Sequence, residues 1–493
     1  MRRLLKRIGA TIGSATSTTN EAHKRHSHPV SRRRGDEQSV RGTLMVQRPR
    51  GTRDFTPKVM ARRLAFEKLL EERARRHGFS RIQTPIFESL DLFTAKSGPG
   101  IVSQLYAFED KSERPLTLRP ELTAPVMRMI AEEGMQMLPR PLRLSYYGQC
   151  YRYEESKKGR YREFFQYGVE LVGESGPLAE AEVIALAIDM LEASGLTNWE
   201  IRIGHVGILK DALTGLGLSA ETSEGASEPP VASAMRFLDK GDDAGLAKLF
   251  TDNGINPDNT APLRALADLE GGIETLGPAR EILSSLEGVS LEALDDLQTT
   301  LEAVAALAPA PPALAVDLTV ARGLDYYTGM VFEVKVPELG GEGQVLGGGS
   351  YKLLHLFGLP DLDPCCGFGL GFDRVLLALE AQAEATGRSE VVPGETDPKG
   401  LIAFIPFGID VAGILPIVAS LRDAGERVEL ELRGRKIGKA MKWANSIGCQ
   451  FTVVVGPRDL ESGQAMVKSL VSGEQQAVAL NADALTAAIQ AMR

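Results

Sequence analysis

Residues Arg152–Glu170, with the sequence RYEESKKGRYREFFQYGVE, decide how the rest of the chain is interpreted. The run begins and ends with side chains that strands could direct into one pocket. Its centre, SKKGR, is too charged for a core, and Gly159 favours a turn. We therefore predict two antiparallel strands joined by a basic loop. Arg152 beside that loop would suit a polyphosphate, because a planar guanidinium matches phosphate oxygens. An ordinary solvated hairpin is the alternative for this segment alone.

An upstream segment, LTLRPELTAPVMRM, adds polar residues to the same picture. Arg119, Glu121 and Thr123 alternate, so an extended chain would place them on one face. Pro120 and Pro125 argue against a central helix here. The segment is therefore predicted to be extended and to present Glu121 and Thr123 together.

Two downstream segments complete the pattern. In VARGLDYYTGMVFE (320–333), two apolar strands are interrupted by a polar group, Arg322, Asp325, Tyr326 and Tyr327. In GFGLGFDRVLLALE (367–380), a strand of small residues precedes an amphipathic helix that opens with Asp373 and Arg374. Glycines in such a strand would allow a flat ligand to approach the backbone. Each segment alone is a weak signal, whereas all four in this order are a strong one.

The combination closely resembles the histidyl-tRNA synthetases, which are class II aminoacyl-tRNA synthetases. The resemblance extends from about Pro49 to the C-terminus, and PRGTRDF (49–55) resembles the opening segment of the family. RGLDYYTGMVFE resembles a histidine-specific motif that other class II synthetases lack. One departure is GGGSY at Gly347–Tyr351, where a GGRYD loop is usual. That form resembles the archaeal branch and leaves the role of this loop open.

The resemblance implies that ATP and Mg²⁺ take part in the reaction. The side chains it assigns to ATP are Arg152, Glu154, Arg160, Phe164 and Arg374. Arg152 would contact the α-phosphate and Arg160 the outer phosphates. Arg322 would reach the α-phosphate from the histidine side, although a structural ion pair with Asp325 is the alternative. Mg²⁺ would be held mainly by phosphates and waters, so no protein ligand for a metal is predicted.

Adenine would stack between the Phe164 ring and the Arg374 guanidinium, and Glu154 would accept from its amino group. Plain core packing is the alternative for Phe164. The residues assigned to L-histidine are Glu121, Thr123, Gln166, Glu170, Arg322, Tyr326 and Tyr327. Glu121 and Thr123 would receive the α-ammonium group, with Gln166 nearby. Glu170 and Tyr327 would contact the two imidazole nitrogens. For Glu121, a salt bridge to Arg119 is the alternative.

The implied fold is an α+β catalytic domain with a mainly antiparallel sheet, a helical insertion and a C-terminal α/β anticodon-binding domain. The predicted bounds are a disordered tail (1–44), a catalytic domain in two parts (45–210 and 313–385), the insertion (211–312), a linker (386–399) and the anticodon-binding domain (400–493). The insertion is interpreted as a clamp for the acceptor arm of tRNA. The helix containing Val59, Phe66, Leu69 and Leu70 and the strand RIQTPIFE (81–88) would form a homodimer interface. A second amphipathic helix would bury Ile184, Ala187, Ile188 and Leu191.

Composition agrees with a large soluble enzyme, and the predicted location is the cytoplasm. The 493 residues are 43% hydrophobic, and no apolar run approaches the length needed to span a bilayer. The four cysteines lack zinc-ligand spacing and indicate reduced thiols. Residues 1–50 hold twelve Lys/Arg and three acids, a net +9, which leaves −18 for the rest of a chain of net charge −9. The tail could be a transit peptide or a nucleic-acid-binding arm, but an upstream misassigned start, with Met45 as the true beginning, is preferred.

The resulting hypothesis is a histidine–tRNA ligase that binds L-histidine, ATP and tRNA-His. In the last domain, Arg435, Lys436, Lys439 and Lys442 have helical spacing and would contact tRNA, with a solvated helix face as the alternative. A non-enzymatic rival is the synthetase-like regulatory subunit of ATP phosphoribosyltransferase, which lacks the anticodon-binding domain. A histidine-binding sensor is a further alternative. Both are disfavoured because Arg152, Arg160, Arg322 and Arg374 are all present together with the C-terminal domain.

Overall fold

The structure is a computed structural model that describes residues 47–97, 99–153, 160–222, 228–240, 242–256, 260–308, 314–319, 327–397 and 399–493. The chain divides after Pro393 into two compact units. The larger unit is built on an eight-stranded sheet, and the smaller one carries a five-stranded sheet of its own. Within the described ranges, no helix has both the length and the apolar character to cross a membrane.

The eight-stranded sheet is mainly antiparallel, as predicted. Its strands in spatial order are β1 (Ser80–Arg81), β5 (Leu142–Tyr151), β6 (Glu163–Val172), β11 (Cys365–Gly371), β10 (Gln344–Tyr351), β9 (Tyr327–Lys335), β7 (Glu200–His205) and β8 (Leu314–Val316). The two outermost pairs are parallel, and the five pairs between them are antiparallel. The predicted hairpin is the β5–β6 pair. Residues 154–159 of its loop lie outside the described residues.

The residues between β1 and β5 form a separate three-stranded sheet. Its strands in spatial order are β2 (Phe87–Ser89), β4 (Pro115–Leu118) and β3 (Tyr106–Glu109). The prediction of one strand over residues 81–88 is wrong, because β1 ends at Arg81 and β2 begins at Phe87. Pro85 has no N–H to donate to a ladder. The carbonyls of Thr84 and Pro85 instead accept hydrogen bonds from Arg119 Nη1, at 2.8 and 3.0 Å.

The larger unit contains these α-helices in its described part: α1 (Pro57–Arg76), α2 (Leu90–Ser97), α3 (Thr123–Glu132), α4 (Pro177–Ala193), α5 (Val206–Gly215), α6 (Pro230–Lys240), α7 (Asp243–Asp252), α8 (Ala261–Asp268), α9 (Leu276–Ser284), α10 (Glu292–Leu307) and α11 (Phe372–Thr386). The predicted burial of Ile184, Ala187, Ile188 and Leu191 on one face of α4 is confirmed, and the buried part of the helix extends well beyond these four residues. It packs against β11 of the sheet and against both α1 and α10. These contacts cover a wide apolar face, while Leu178 and Glu192 remain exposed.

Helix α1 buries a stripe that differs from the predicted one. Phe66 and Leu70 are fully buried, but Val59 is 37% exposed and Arg63 is among the buried residues. The helix ends at Arg76, and Gly78 follows with φ +79°, a backbone conformation that glycine adopts without strain. The stripe therefore includes a charged side chain whose partner must lie inside the protein.

Helices cover most of residues 211–307 within the predicted insertion (211–312), and the first of them, α5, already begins at Val206. Buried side chains of these helices, such as Leu213, Leu263 and Leu301, belong to the same apolar core as the strands of the large sheet. These helices therefore pack onto the large sheet rather than lying apart from it. Its predicted end at residues 309–312 lies outside the described residues.

The smaller unit has the strand order β13 (Arg427–Leu430), β12 (Leu401–Pro406), β14 (Phe451–Val455), β15 (Gln464–Ser469) and β16 (Gln475–Ala479). Its α-helices are α12 (Leu415–Asp423), α13 (Ile437–Ser446), α14 (Pro457–Ser462) and α15 (Ala482–Ala491). This unit combines helices with a mixed sheet. Strands β13, β12 and β14 are parallel, whereas β15 and β16 are antiparallel. The β14–β15 connection is too short for the crossover that parallel strands require.

Candidate active site

Two cavities adjoin over strands β6, β10 and β11 of the large sheet. The larger has a volume of about 420 Å³ and the smaller about 220 Å³. The residues that line both are Arg152, Gln166, Gln344, Gly347 and Gly369. Since these five residues form a common boundary, a ligand in one cavity would meet a ligand in the other there.

Glu170 forms the floor of the larger cavity. Its side chain lies on β6 and is only 1% exposed. The Tyr146 hydroxyl donates to its Oε1 at 2.9 Å, and the Tyr351 hydroxyl donates to its Oε2. Burial raises the pKa of Glu170 to about 7, against the opposing effect of hydrogen bonds from Tyr351, Thr123 and Tyr146. This carboxyl group therefore changes its charge near neutral pH.

The two tyrosines line the candidate site, and the sequence analysis did not assign them to it. Both line the larger cavity, and burial raises the pKa of each well above its usual value, so both remain hydroxyl donors. Tyr351 is the last residue of the GGGSY segment, which is part of strand β10 and not a loop. Tyr146 fits because Gly168 is opposite it on β6, where an added Cβ would lie 2.4 Å from the tyrosine ring. The signal in the sequence that could have indicated the position of Tyr146 was Gly168.

Glu121 and Thr123 both line the larger cavity, but the predicted extended segment around them is wrong. Strand β4 ends at Leu118, and Thr123 is the first residue of helix α3. Pro125 is tolerated because it lies in the first turn, where no intrahelical N–H bond is lost. Glu121 accepts the backbone N–H of Thr123 at 2.6 Å and of Ala124 at 3.2 Å. A helix N-terminus therefore orients this carboxylate beside the cavity.

The rest of the larger cavity combines Gln166 and Tyr327 with an apolar wall. Gln166 accepts a hydrogen bond from the Cys150 thiol at 3.3 Å, and Tyr327 is the first residue of β9. Phe93, Ile101 and Leu105 provide the apolar side. The cavity thus offers a buried carboxyl group at its floor and a second carboxylate at its rim.

Arg152 lies at the boundary between the cavities. Its Nε donates to the Pro120 carbonyl at 3.0 Å, and its guanidinium lies 5.3 Å from the centre of the Phe164 ring. These contacts fix a cation where the two cavities meet. An anionic group that spans both would be neutralised there.

The smaller cavity brings together the other predicted ATP-binding side chains that the structure describes. Phe164, Arg160 and Arg374 all line it. Arg374 Nη1 donates to the Gln344 carbonyl at 2.8 Å, which holds the guanidinium against β10. The cavity therefore has an aromatic ring and two further cations in its walls, a composition that suits a nucleoside polyphosphate.

Glycines in β11 shape both cavities. A Cβ on Gly367 would lie 2.2 Å from Glu170 Oε2 and 2.3 Å from the Val169 carbonyl. At Gly369 the nearest atom to an added Cβ is Gln166 Nε2 at 3.8 Å, so a side chain there would occupy the shared boundary instead. The predicted close approach to the backbone is therefore possible at Gly369, whereas Gly367 makes room for Glu170.

Several predicted residues cannot be placed. Glu154, Arg322 and Tyr326, and also Asp325, lie outside the described residues. Among the residues that the structure describes, no group of three or more His, Cys, Asp or Glu side chains could hold a metal ion.

The predicted cationic face in the smaller unit is only partly present. Helix α13 begins at Ile437, so Arg435 and Lys436 precede it. Arg435 pairs with the buried carboxylate of Glu431 and lies 5.0 Å from the Trp443 ring. Its inclusion in a free helix face is therefore wrong. The remaining members, Lys436, Lys439 and Lys442, are exposed.

Comparison with known proteins gives a consistent result. The family model described as histidyl-tRNA synthetase matches residues 51–375, and the model of an anticodon-binding domain matches residues 407–491. The histidine–tRNA ligase of the archaeon Archaeoglobus fulgidus is 40% identical over 436 residues, which are 88% of this chain and 98% of that protein. The predicted likeness to the archaeal branch is confirmed.

Two solved structures extend this to the fold. Histidyl-tRNA synthetase from Nostoc sp. PCC 7120 has a TM-score of 0.73 at 23% identity, over 92% of this chain and 100% of that chain. An ATP phosphoribosyltransferase regulatory subunit/histidyl-tRNA synthetase from Bacillus halodurans has a TM-score of 0.66 at 26% identity, over 85% and 99%. The predicted fold class is thereby confirmed. Because the family model covers well over half of the sequence, and the archaeal relative matches it over most of both lengths, the chain belongs to the histidyl-tRNA synthetase family.

Proposed function

We propose that the two adjoining cavities carry out histidine activation in this chain, which as a member of its family is a histidine–tRNA ligase. L-histidine and ATP react to give histidyl-adenylate and pyrophosphate, and histidine is then transferred to the 3′ end of tRNA-His. The observation that carries the proposal is that the buried Glu170 carboxyl accepts hydrogen bonds from two tyrosines in the larger cavity, while arginines line the adjoining smaller cavity.

Histidine would lie in the larger cavity with its imidazole towards Glu170 and Tyr327. Glu121, Thr123 and Gln166 would then receive the α-ammonium group near the rim, and Tyr326 would complete the pocket. A site built around two ring nitrogens leaves its own polar groups unpaired when a wrong amino acid enters, which can give discrimination of about 10⁴ or more. The geometry that supports this orientation is the separation of a floor carboxyl from a rim carboxylate in one cavity.

ATP would lie in the smaller cavity, with adenine between Phe164 and Arg374 and with its phosphates towards Arg160. Glu154 would accept from the adenine amino group. Arg152 at the shared boundary would contact the α-phosphate that the histidine carboxylate attacks, with Arg322 on the opposite side. Such cations act by neutralising the charge that develops on the phosphoryl oxygens.

Mg²⁺ would enter with ATP. Among the described residues that line the smaller cavity, Asp373 supplies the carboxylate, and it is already paired with two arginines. Coordination would therefore rest on phosphate oxygens and waters, as is common for this ion. Its contribution when bound would be to neutralise phosphate charge.

The tRNA would use surfaces on both units. The exposed lysines Lys436, Lys439 and Lys442 would contact tRNA-His from the unit that matches an anticodon-binding domain. The helices packed on the catalytic scaffold would hold the acceptor arm, and no editing site is required. The proposed location is the cytoplasm, in keeping with four free, buried thiols.

The proposed active form is a homodimer. Phe87 is 56% exposed and pairs with Leu118 on the small sheet, while Phe108 is 44% exposed and pairs with Leu116. Residues directly opposite each other in antiparallel strands share a face, so these four apolar side chains form one surface. A second copy that covered this surface together with α1 would remove it from water.

Histidine-dependent exchange of labelled pyrophosphate into ATP tests the proposal. We expect exchange that requires histidine and that no other amino acid supports at comparable concentration. Histidine binding without any exchange would overturn the proposed function in favour of a regulatory subunit. The similar structure from Bacillus halodurans carries both descriptions, regulatory subunit and synthetase. The matching control is the same reaction without amino acid.

A further inference from the structure

A buried group of charges lies directly behind the smaller cavity. Asp373, which is 4% exposed, is the second residue of α11 and precedes Arg374. Its Oδ1 lies 2.6 Å from Arg63 Nη1 and 2.8 Å from Arg53 Nη2, and its Oδ2 accepts the N–H of Phe165 at 2.8 Å. One carboxylate therefore joins the segment before α1, helix α1, strand β6 and helix α11.

Aromatic rings hold the two arginines in place. The Arg63 guanidinium carbon lies close to three of them, Phe55 at 4.1 Å, Phe165 at 4.4 Å and Phe372 at 4.9 Å. The Arg53 guanidinium carbon lies 3.6 Å from the centre of the Tyr161 ring. Arg53 Nη2 lies close to Asp373 but donates no hydrogen bond to it. The contact between these two side chains is therefore an ion pair. Ring faces reduce the cost of burying two cations beside a single anion.

The cluster touches the cavity through residues that also form its walls. Asp373, Tyr161 and Phe165 all line the smaller cavity. Each of the two proposed adenine walls is the sequence neighbour of a residue that the Asp373 carboxylate fixes: Phe164 precedes Phe165, and Arg374 follows Asp373. The carboxylate therefore couples β6, which carries one wall, to α11, which carries the other.

We propose that Asp373, Arg53 and Arg63 are positioning residues for the nucleotide base. Their ion pairs and the Phe165 hydrogen bond set the separation and tilt of Phe164 and Arg374, and thereby the width of the adenine slot. Stability alone is a weak explanation, because apolar residues of similar volume often stabilise a core as well as a buried ionic group does. Binding groups work best when a second layer of contacts locks them. The inference rests on the proposed placement of ATP in the smaller cavity.

Asp373→Asn tests the cluster, because it keeps the shape while removing the charge that attracts both arginines. Binding of adenosine and ATP, measured by calorimetry on the full chain, should weaken at least about 10-fold, since a shift of about 1 Å in a binding group can cost up to about 10²-fold. Pyrophosphate inhibition of aminoacylation and the histidine KM should stay within about two-fold. If the cluster acts only on the adenine slot, binding of adenosine and ATP should weaken while pyrophosphate inhibition and the histidine KM stay nearly constant.

Asp397→Asn is the matched control. Asp397 also pairs with an arginine, Arg427, at 3.0 Å and accepts a backbone N–H, from Lys399 at 2.9 Å, but it lies in the smaller unit. It should leave adenosine affinity unchanged. If Asp373→Asn does not fold, Arg53→Gln provides the same test from a side chain that is 19% exposed.

Two results would overturn the inference. Unchanged adenosine affinity would show that the cluster does not set the slot. Equal weakening of adenosine, pyrophosphate and histidine, together with a lower melting temperature, would show that it only stabilises the fold. A wild-type chain that binds adenosine without histidine-dependent exchange would instead refute the proposed function, and the adenosine measurement would still decide on the cluster.

Discussion

At the scale of single residues, the larger cavity depends on one buried carboxyl group. Glu170 has a folded-state pKa of about 7, raised from 4.5 by burial. Because the folded state favours the protonated form, this contribution to the free energy of unfolding is present below pH 4.5 and is lost as the pH rises through about 7. Ionised Glu170 is the stronger acceptor for a ring N–H. Histidine binding and stability should therefore respond to pH in opposite directions.

Glu170→Gln should raise the histidine KM about 10- to 100-fold, the loss expected for one hydrogen bond to a charged group. The ATP KM should change far less, because Glu170 lines only the larger cavity. Initial rates of aminoacylation with each substrate varied in turn provide the measurement. Equal effects on both KM values with a lower melting temperature would mean that Glu170 is purely structural.

Glu180→Gln is the matched control for that experiment. Glu180 is also a buried carboxyl with a pKa raised by burial, and it accepts from Ser350 Oγ at 2.5 Å and Thr300 Oγ1 at 3.0 Å, but it lines neither cavity. Its replacement should move the melting temperature and leave the ratio of the two KM values unchanged.

The pH dependence gives a second prediction at this scale. The ratio of the histidine KM of Glu170→Gln to that of the wild type should increase between pH 6 and pH 8, since only the wild type gains a charge there. Using the ratio cancels the titration of the substrate imidazole, whose pKa is about 6.5. Over the same interval the melting temperature of the wild type should fall relative to that of the variant. A ratio that is constant with pH would contradict the assignment.

At the scale of elements, the packing of β11 against β6 determines whether the site can form. A Cβ on Gly367 would meet the Glu170 carboxylate and the Val169 backbone carbonyl at once, and the backbone atom cannot move without displacing the strand. Gly367→Ala should therefore destabilise the chain by about 1–3 kcal/mol, as overpacking usually does. It should also raise the histidine KM. Thermal melts and aminoacylation rates measure the two effects.

Gly277→Ala is the control for the glycine substitution. Gly277 lies in helix α9, and no atom is within 4 Å of an added Cβ. Alanine there should be neutral or should stabilise by about 0.4–1 kcal/mol, because it reduces the freedom of the unfolded chain. A Gly367→Ala variant as stable and active as Gly277→Ala would show that the two strands tolerate the extra atom.

At the scale of the whole molecule, the apolar face of the small sheet bears on the oligomeric state. Phe87→Arg should convert the proposed dimer to a monomer and reduce aminoacylation, because burying an unpaired charge in an interface is costly. Analytical ultracentrifugation over a range of concentrations gives the mass. Val471→Arg, at an 80% exposed position in the smaller unit, should leave both properties unchanged. A wild-type monomer with full activity would refute the dimer.

The N-terminal tail gives the last prediction at this scale. Removing residues 1–44 should leave folding and aminoacylation intact, since their composition has no core-forming pattern. Removal through Arg53 should reduce the aminoacylation rate, because it deletes one of the two arginines that pair with the buried Asp373. Melting temperature and aminoacylation rate of the two truncations decide this. A large loss in the shorter truncation would show that the tail has a working role.

The sequence by itself determined the family, the β5–β6 pair, and most of the polar residues that meet in the cavities. Those signals are local: charge, glycine and proline patterns report on strands and turns within a few residues. Only the tertiary structure decided that Tyr146 and Tyr351 hold Glu170 and that Arg63 is buried against Asp373. These pairs are distant in sequence, and Arg63 and Asp373 are 310 residues apart. A contact of that kind depends on how the sheet and helices pack, and no local pattern encodes the distance between them.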